Sequence, residues 1–407
     1  AYATSGADVA RFFGSFATEE FLATPSSATL KGSNYERRAE GFATVSAYAG
    51  STTDVAKLYD RTDSEDTLVA TPAYVKLTGA GYSVQAVNFR KVYGYSSDTK
   101  DTAKLYDDTT NDTFVGKPHE STFSGPRFYY QVAGYRNVAA YSRSGSDTAH
   151  LYDSVGTDTA VLAATYVTVT GSGYKLHADR FRSATVYSSG GEDIARFYDG
   201  ASLNETLVIN PGLAVMSANG GNYTNRAEGF RRIEATSSGG ADTVRIYDSP
   251  GNDSLTATPT YAFLTGPDYS VKTYRFRYVY AYSTAGGTDS AKLYGSDGDD
   301  TLVGYPNYVR LNNNTYWLWA EGFKNVRAYG GAGNDRAWLY DSALAGFPDR
   351  LQAGINGTQK WARMYNLGLG YDTWVYDFER VEAQSSNPED IKEFAGALDF
   401  VITRGYW

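Results

Sequence analysis

Asp101-Thr102-Ala103-Lys104-Leu105-Tyr106-Asp107 is the phrase on which the fold turns. Ala103 and Leu105 stand two apart with Lys104 between them. That period of two reads as a strand with one buried face. The acidic residues at either end mark turns. In the form Asp-x-Ala-x-Leu-Tyr-Asp the phrase begins again at Asp8, Asp54, Asp101, Asp147, Asp193, Asp242, Asp289 and Asp335. The steps are 46, 47, 46, 46, 49, 47 and 46 residues. Self-similarity at such a period signals a repeat architecture. The 407 residues are therefore one array, and not the two or three domains that length alone suggests.

Each copy continues with a second acidic turn and Thr/Ser-Leu, as in Asp299-Asp300-Thr301-Leu302. A Tyr-x-x-Leu-Thr-Gly phrase follows (Tyr74 to Gly79), then Phe-x-x-Val-x-Ala-Tyr (Phe276 to Tyr282). Short period-two segments broken by Gly, Asn, Asp and Ser predict five or six strands per repeat. Helical spacing is expected only at Pro388–Phe394.

Two architectures use such a pattern. One is a parallel β-solenoid of eight ~46-residue repeats over residues 1–384, about two coils per repeat with like positions stacked, closed by a C-terminal cap at residues 385–407. The alternative is an eight-bladed β-propeller. Strands of four to six residues and recurrent glycine-acid turns favour the solenoid. All six tryptophans lie between Trp317 and Trp407, as expected of a cap covering an open core.

Composition excludes several function classes. The absence of cysteine removes disulfide scaffolds, thiol nucleophiles and cysteine-ligated metals. A net charge of −9 argues against nucleic acid as partner. No apolar run is long enough to form a membrane-inserted helix. The chain opens Ala1-Tyr2-Ala3-Thr4, without a signal peptide, and is expected to be a mature or excised piece of a secreted, extracellular or cell-surface protein.

Gly330-Gly331-Ala332-Gly333-Asn334-Asp335 and Asp297-Gly298-Asp299-Asp300-Thr301-Leu302 resemble degenerate turns of repeats-in-toxin (RTX) calcium-binding β-rolls. The longer unit, with its Leu-Tyr-Asp signature, resembles repeat arrays of large secreted bacterial surface proteins. The first resemblance implies calcium as the ion held at the turns. Gly14 and Gly295 replace the Asp that follows the aromatic, so those copies depart from the pattern.

From the residues themselves, three constellations stand out. Acidic turns offer hard oxygen ligands for calcium: Asp242, Asp248 and Asp253 in one copy, Asp147, Asp153 and Asp158 in another, and Asp297, Asp299 and Asp300 in a third. The same residues also cap tight turns without an ion. The outward positions of the Ala-x-Leu-Tyr strand pair a cation with an aromatic: Lys57 with Tyr59, Lys104 with Tyr106, His150 with Tyr152, Arg196 with Tyr198. Stacked on one face, they would bind an acidic polysaccharide. If that site were a polysaccharide lyase, Lys104 or Arg196 would neutralise a uronate, with His150 and Tyr152 as base and acid. The leading expectation is instead a stiff structural or adhesive spacer, with neighbouring copies of the parent protein as partners.

Overall fold

The computed structural model describes residues 1–4, 8–62, 64–394 and 396–407. Among these the chain forms strands and no helix. The fold is an all-β parallel solenoid and not a propeller. It divides into two units, Ala1–Arg196 with Asn222–Phe230, and Phe197–Gly221 with Arg231–Trp407.

Within each unit every repeat supplies five strands. In the repeat opened by Asp101 they are Thr102–Tyr106, Thr113–Gly116, Glu120–Ser124, Tyr129–Ala133 and Asn137–Tyr141. The first and fifth lie side by side in one sheet, parallel, with Lys104 opposite Ala139. The middle three form an antiparallel meander in the other sheet. The next repeat exchanges the sheets. Its first strand, Thr148–Tyr152, lies parallel to Thr113–Gly116 of the meander, and its own meander joins Asn137–Tyr141. Each repeat is thereby laced to the next by parallel ladders, which blades of a propeller do not share.

This arrangement corrects the expected stacking. Most parallel neighbours are 35 to 39 residues apart, as Thr67 and Thr102 or Val138 and Leu176 show, and the spacing widens to 47 between Asn325 and Asp372. One turn thus takes about 36 residues, not the half-repeat that two coils would need. Because the turn is shorter than the repeat, like positions fall on alternate sheets. The eight Ala-x-Leu-Tyr strands do not stack on one another.

The inward phase is as expected. Ala56, Leu58, Ala103, Leu105, Ala149, Leu151, Ala291 and Leu293 are all buried. The two sheets meet through these rows: Phe12 and Phe21, on opposite sheets, have ring centroids 5.8 Å apart. Burying one leucine contributes about 1.5–3 kcal/mol. The tail differs from expectation. Ile391–Phe394 is a strand parallel to Arg350–Asn356, not a helix, and Val401–Gly405 pairs with Arg380–Ser385. Trp317, Trp319, Trp338 and Trp374 lie half-buried on outward positions, because Leu318, Ala320, Ala337, Leu339 and Val375 take the inward ones. They do not plug the core.

Candidate metal centres at the repeat corners

Where the first strand leaves its sheet, the chain turns a corner lined with acid. Asp107 ends that strand, Asp112 precedes the second, and Asp147 opens the following repeat. All three are 2% exposed or less. One carboxylate oxygen of each lies within 4.8 Å of the others. The same triad recurs as Asp60, Asp66 and Asp101; Asp153, Asp158 and Asp193; Asp199, Glu205 and Asp242; and Asp248, Asp253 and Asp289.

Each member is held by the backbone. The Asp112 N–H donates to Asp147 Oδ1 at 2.7 Å, and the Ser142 hydroxyl to Oδ2 at 2.6 Å. Asp107 Oδ2 accepts from the Arg143 N–H at 2.8 Å. The bonds repeat along the array: the Asp158 N–H reaches Asp193 at 2.7 Å, and the Ser189 N–H reaches Asp153 at 2.6 Å. The middle acid also faces a tyrosine or phenylalanine that opens the fourth strand; the Tyr174 hydroxyl donates to Asp158 at 3.0 Å. The glycine at the end of the third strand gives this carboxylate room. A Cβ on Gly79, Gly125 or Gly171 would fall 1.7–1.8 Å from the middle aspartate's oxygen.

These donors do not reach every oxygen. Asp107 Oδ1 and Asp153 Oδ2 are buried with no hydrogen-bond partner. The Asp107 carboxylate stands against that of Asp147, and Asp153 against Asp193. Three carboxylates buried together resist ionisation. Burial, and then the neighbouring Asp108, push the Asp112 carboxyl up to about 6. Burial also raises Asp101, Asp107 and Asp153, with Asp60, Asp147 and Asp193 respectively adding to it. Such a corner needs either shared protons or a cation. The ion pairs given by Lys57 with Glu20 (2.7 Å) and Arg363 with Asp372 (2.7 Å) lie elsewhere, on outward positions.

The expected ligand groupings change accordingly. Asp242 does not join Asp248 and Asp253; it completes the corner of Asp199 and Glu205, while Asp248 and Asp253 take Asp289. Asp147 likewise leaves Asp153 and Asp158, which take Asp193. Asp300 is buried and its N–H donates to Asp335 at 2.7 Å. Asp297 and Asp299 are exposed, and Asp299 caps the Asn334 N–H at 2.9 Å. Two repeat-opening aspartates, Asp147 and Asp242, were expected as ligands, but of the corner that follows each in the chain and not of the one that precedes it. The signal for the others was the presence of this aspartate in all eight copies.

The cation–aromatic row is also redistributed. Lys57, Tyr59, His150 and Tyr152 face outward from one sheet of the first unit; Lys104, Tyr106 and Arg196 belong to the other. Lys104 and Arg196 are separated by five strand spacings, about 24 Å. His150 and Tyr152 therefore cannot converge with them on one substrate. The tyrosines instead stack in pairs within a repeat: Tyr59 on Tyr95 at 4.7 Å, Tyr106 on Tyr141 at 4.8 Å, Tyr152 on Tyr187 at 4.6 Å. Tyr198, in the second unit, is 41% exposed.

The chain matches no protein-family model and no curated protein.

Proposed function

We propose that the chain is an extracellular structural and adhesive repeat module, a stiff spacer of a larger secreted protein, whose corners are braced by calcium. The observation that carries this reading is the pair of partnerless buried oxygens, Asp107 Oδ1 and Asp153 Oδ2, each inside a triad of carboxylates. An all-oxygen donor set suits a hard cation, and calcium accepts it with loose geometry. The likeness of the turns to RTX β-rolls points the same way.

Asp107, Asp112 and Asp147 would hold one such ion, and the equivalent triads the others. When bound, the ion supplies the positive charge that the corner lacks. Two of its ligands come from one repeat and the third from the next, so binding would tie successive repeats together. Chemistry spread evenly over many corners suits a mechanical role, whereas an enzyme concentrates it in one.

The test is thermal melting of the full chain at pH 7.5 with excess chelator and with millimolar calcium. A ligand that binds only the folded state stabilises by about 2.7 kcal/mol per site at a hundred times its Kd. The melting temperature should therefore rise steeply with calcium, and elemental analysis after dialysis should find several calcium ions per chain. A melt indifferent to both additions, with no retained calcium, would refute the bracing.

A further inference from the structure

The second unit carries an outward pocket, lined by Lys292, Arg327 and Trp374, that the corner chemistry does not use. Its floor is set by strand register. Lys292 on Ser290–Tyr294 lies opposite Arg327 on Asn325–Tyr329, which lies opposite Trp374 on Tyr371–Tyr376. Together with Ser290, Asn325 and Asp372 they line a cavity of about 290 Å³. That is about ten water volumes at roughly 30 Å³ each, room for a saccharide ring.

Two like charges directly opposite on neighbouring strands oppose sheet formation. Here both are exposed, and among the described residues neither has a carboxylate within ion-pair distance. The one acid in the pocket, Asp372, is already engaged by both arms of Arg363, at 2.7 and 2.9 Å. At the position equivalent to Lys292, other repeats avoid the conflict. Lys57 lies opposite Tyr93 and pairs with Glu20; Lys104 lies opposite Ala139; Arg245 lies over the ring of Tyr280. On a chain of net charge −9, an unneutralised Lys–Arg pair is a local feature with a local cause.

Aromatic surface borders the pair. Trp374 forms one wall, and Arg363 lies over its ring at 4.7 Å. Two residues along the same strands, Tyr294, Tyr329 and Tyr376 stack in an unbroken ladder at 4.8 and 4.9 Å. A cation pair beside aromatic faces matches a ligand with a charged substituent on a flat, carbon-rich ring.

We propose that this pocket binds an anionic sugar unit of an acidic polysaccharide, with Lys292 and Arg327 on its carboxylate or sulfate and Trp374 against the sugar ring. The site is independent of calcium at the corners, and it gives the adhesive role a specific ligand class.

The test is calorimetric titration of the full chain at low salt with four probes: an oligogalacturonate, a heparin-derived oligosaccharide, a neutral cello-oligosaccharide and linear polyphosphate. At least one of the two anionic sugars should bind, the neutral one should not, and whichever binds tells carboxylate from sulfate. Lys292→Ala with Arg327→Ala should weaken binding by about tenfold or more. Trp374→Ala should weaken the sugar similarly while leaving any polyphosphate binding unchanged; Trp374→Phe, which keeps a ring and protects the fold, should retain most of it. Lys104→Ala, outside the pocket, should have no effect. Lack of binding by both anionic sugars would overturn the proposal. So would equal loss in Lys104→Ala, or a sugar affinity that matches polyphosphate and ignores Trp374→Ala, since that is attraction by bulk charge.

Discussion

The corner of Asp107, Asp112 and Asp147 and the corner of Gly14, Glu19 and Asp54 occupy the same position in their repeats and solve burial of acid in opposite ways. At the second, glycine replaces the first aspartate, and a Cβ there would lie 2.5 Å from Glu19 Oε2 and 2.7 Å from the Gly50 nitrogen. Two carboxylates remain and both are surrounded by donors. Glu19 receives the Ser15 N–H at 2.8 Å and the Tyr35 hydroxyl. Asp54 receives the N–H groups of Glu19, Gly50 and Ser51 at 2.8, 3.0 and 2.9 Å. Burial raises the Glu19 carboxyl, but Ser15, Tyr35 and Arg37 outweigh it and hold it below the usual range. At Asp107 the balance is reversed, with a third carboxylate, an oxygen without a donor, and raised carboxyls.

The serine before the repeat-opening aspartate follows the same division. Six corners pair an Asp after the first strand with that serine, such as Asp107 with Ser142 and Asp341 with Ser385. Gly14 and Gly295 go instead with Ala49 and Gly330. Turn capping alone would not couple the two positions. Offsetting a third charge does, because the serine hydroxyl donates to the carboxylate that the third acid crowds.

Three measurements sharpen or break this contrast. The largest effect should come from pH, because all the triads respond together. Asp112 ionises at about 6 in the fold against an ordinary 3.8, so the folded chain binds more protons between those values. The stability this contributes is present below about pH 3.8 and is lost as pH rises to about 6. In chelator the melting temperature should fall from pH 4 to pH 6.5, and calcium should restore it at pH 7.5. A calcium-free melt that is flat or rises across that range would show that the triads are not crowded.

Next in size is the removal of the repeat-opening acid. Asp54→Ala strips three N–H groups, that of buried Glu19 among them, of their acceptor and should cost about 2–4 kcal/mol with or without calcium. Asp147→Ala loses two donors' acceptor but also relieves repulsion, so in chelator it should cost less than Asp54→Ala. In calcium the order should reverse. Urea unfolding under both conditions checks this, and an unchanged order would break the distinction between the corners.

The smallest effect should be Asp107→Gly, which converts a triad toward the glycine type. In chelator it forfeits the cap on the Arg143 N–H, worth about 0.5–1.5 kcal/mol. Calcium stoichiometry should drop by one ion per chain. Retention of the full number would place the ion away from Asp107.

Much of the fold was legible in the chain. The buried rows at Ala103 and Leu105, the exposed Lys104 and the acidic corners all follow from alternation and turn chemistry, which act over a few residues. The membership of each corner was less legible. Asp112 and Asp147 are 35 residues apart, and nothing local to either says that they touch. The lyase set failed for the same reason: Lys104 and His150 are equivalent in sequence and lie on different sheets.

The sequence by itself determined that the chain is an array of short strands, which side of each strand is buried, and where acid accumulates. A strand's alternation is set by its own backbone and needs no partner. Only the tertiary structure decided which strands are neighbours. The antiparallel meander folds back on its sheet, lengthens the turn to about 36 residues and sends successive repeats to alternate sheets. That register, a property of long-range hydrogen bonding, brings Asp107 to Asp147 and sets Lys292 beside Arg327 and Trp374.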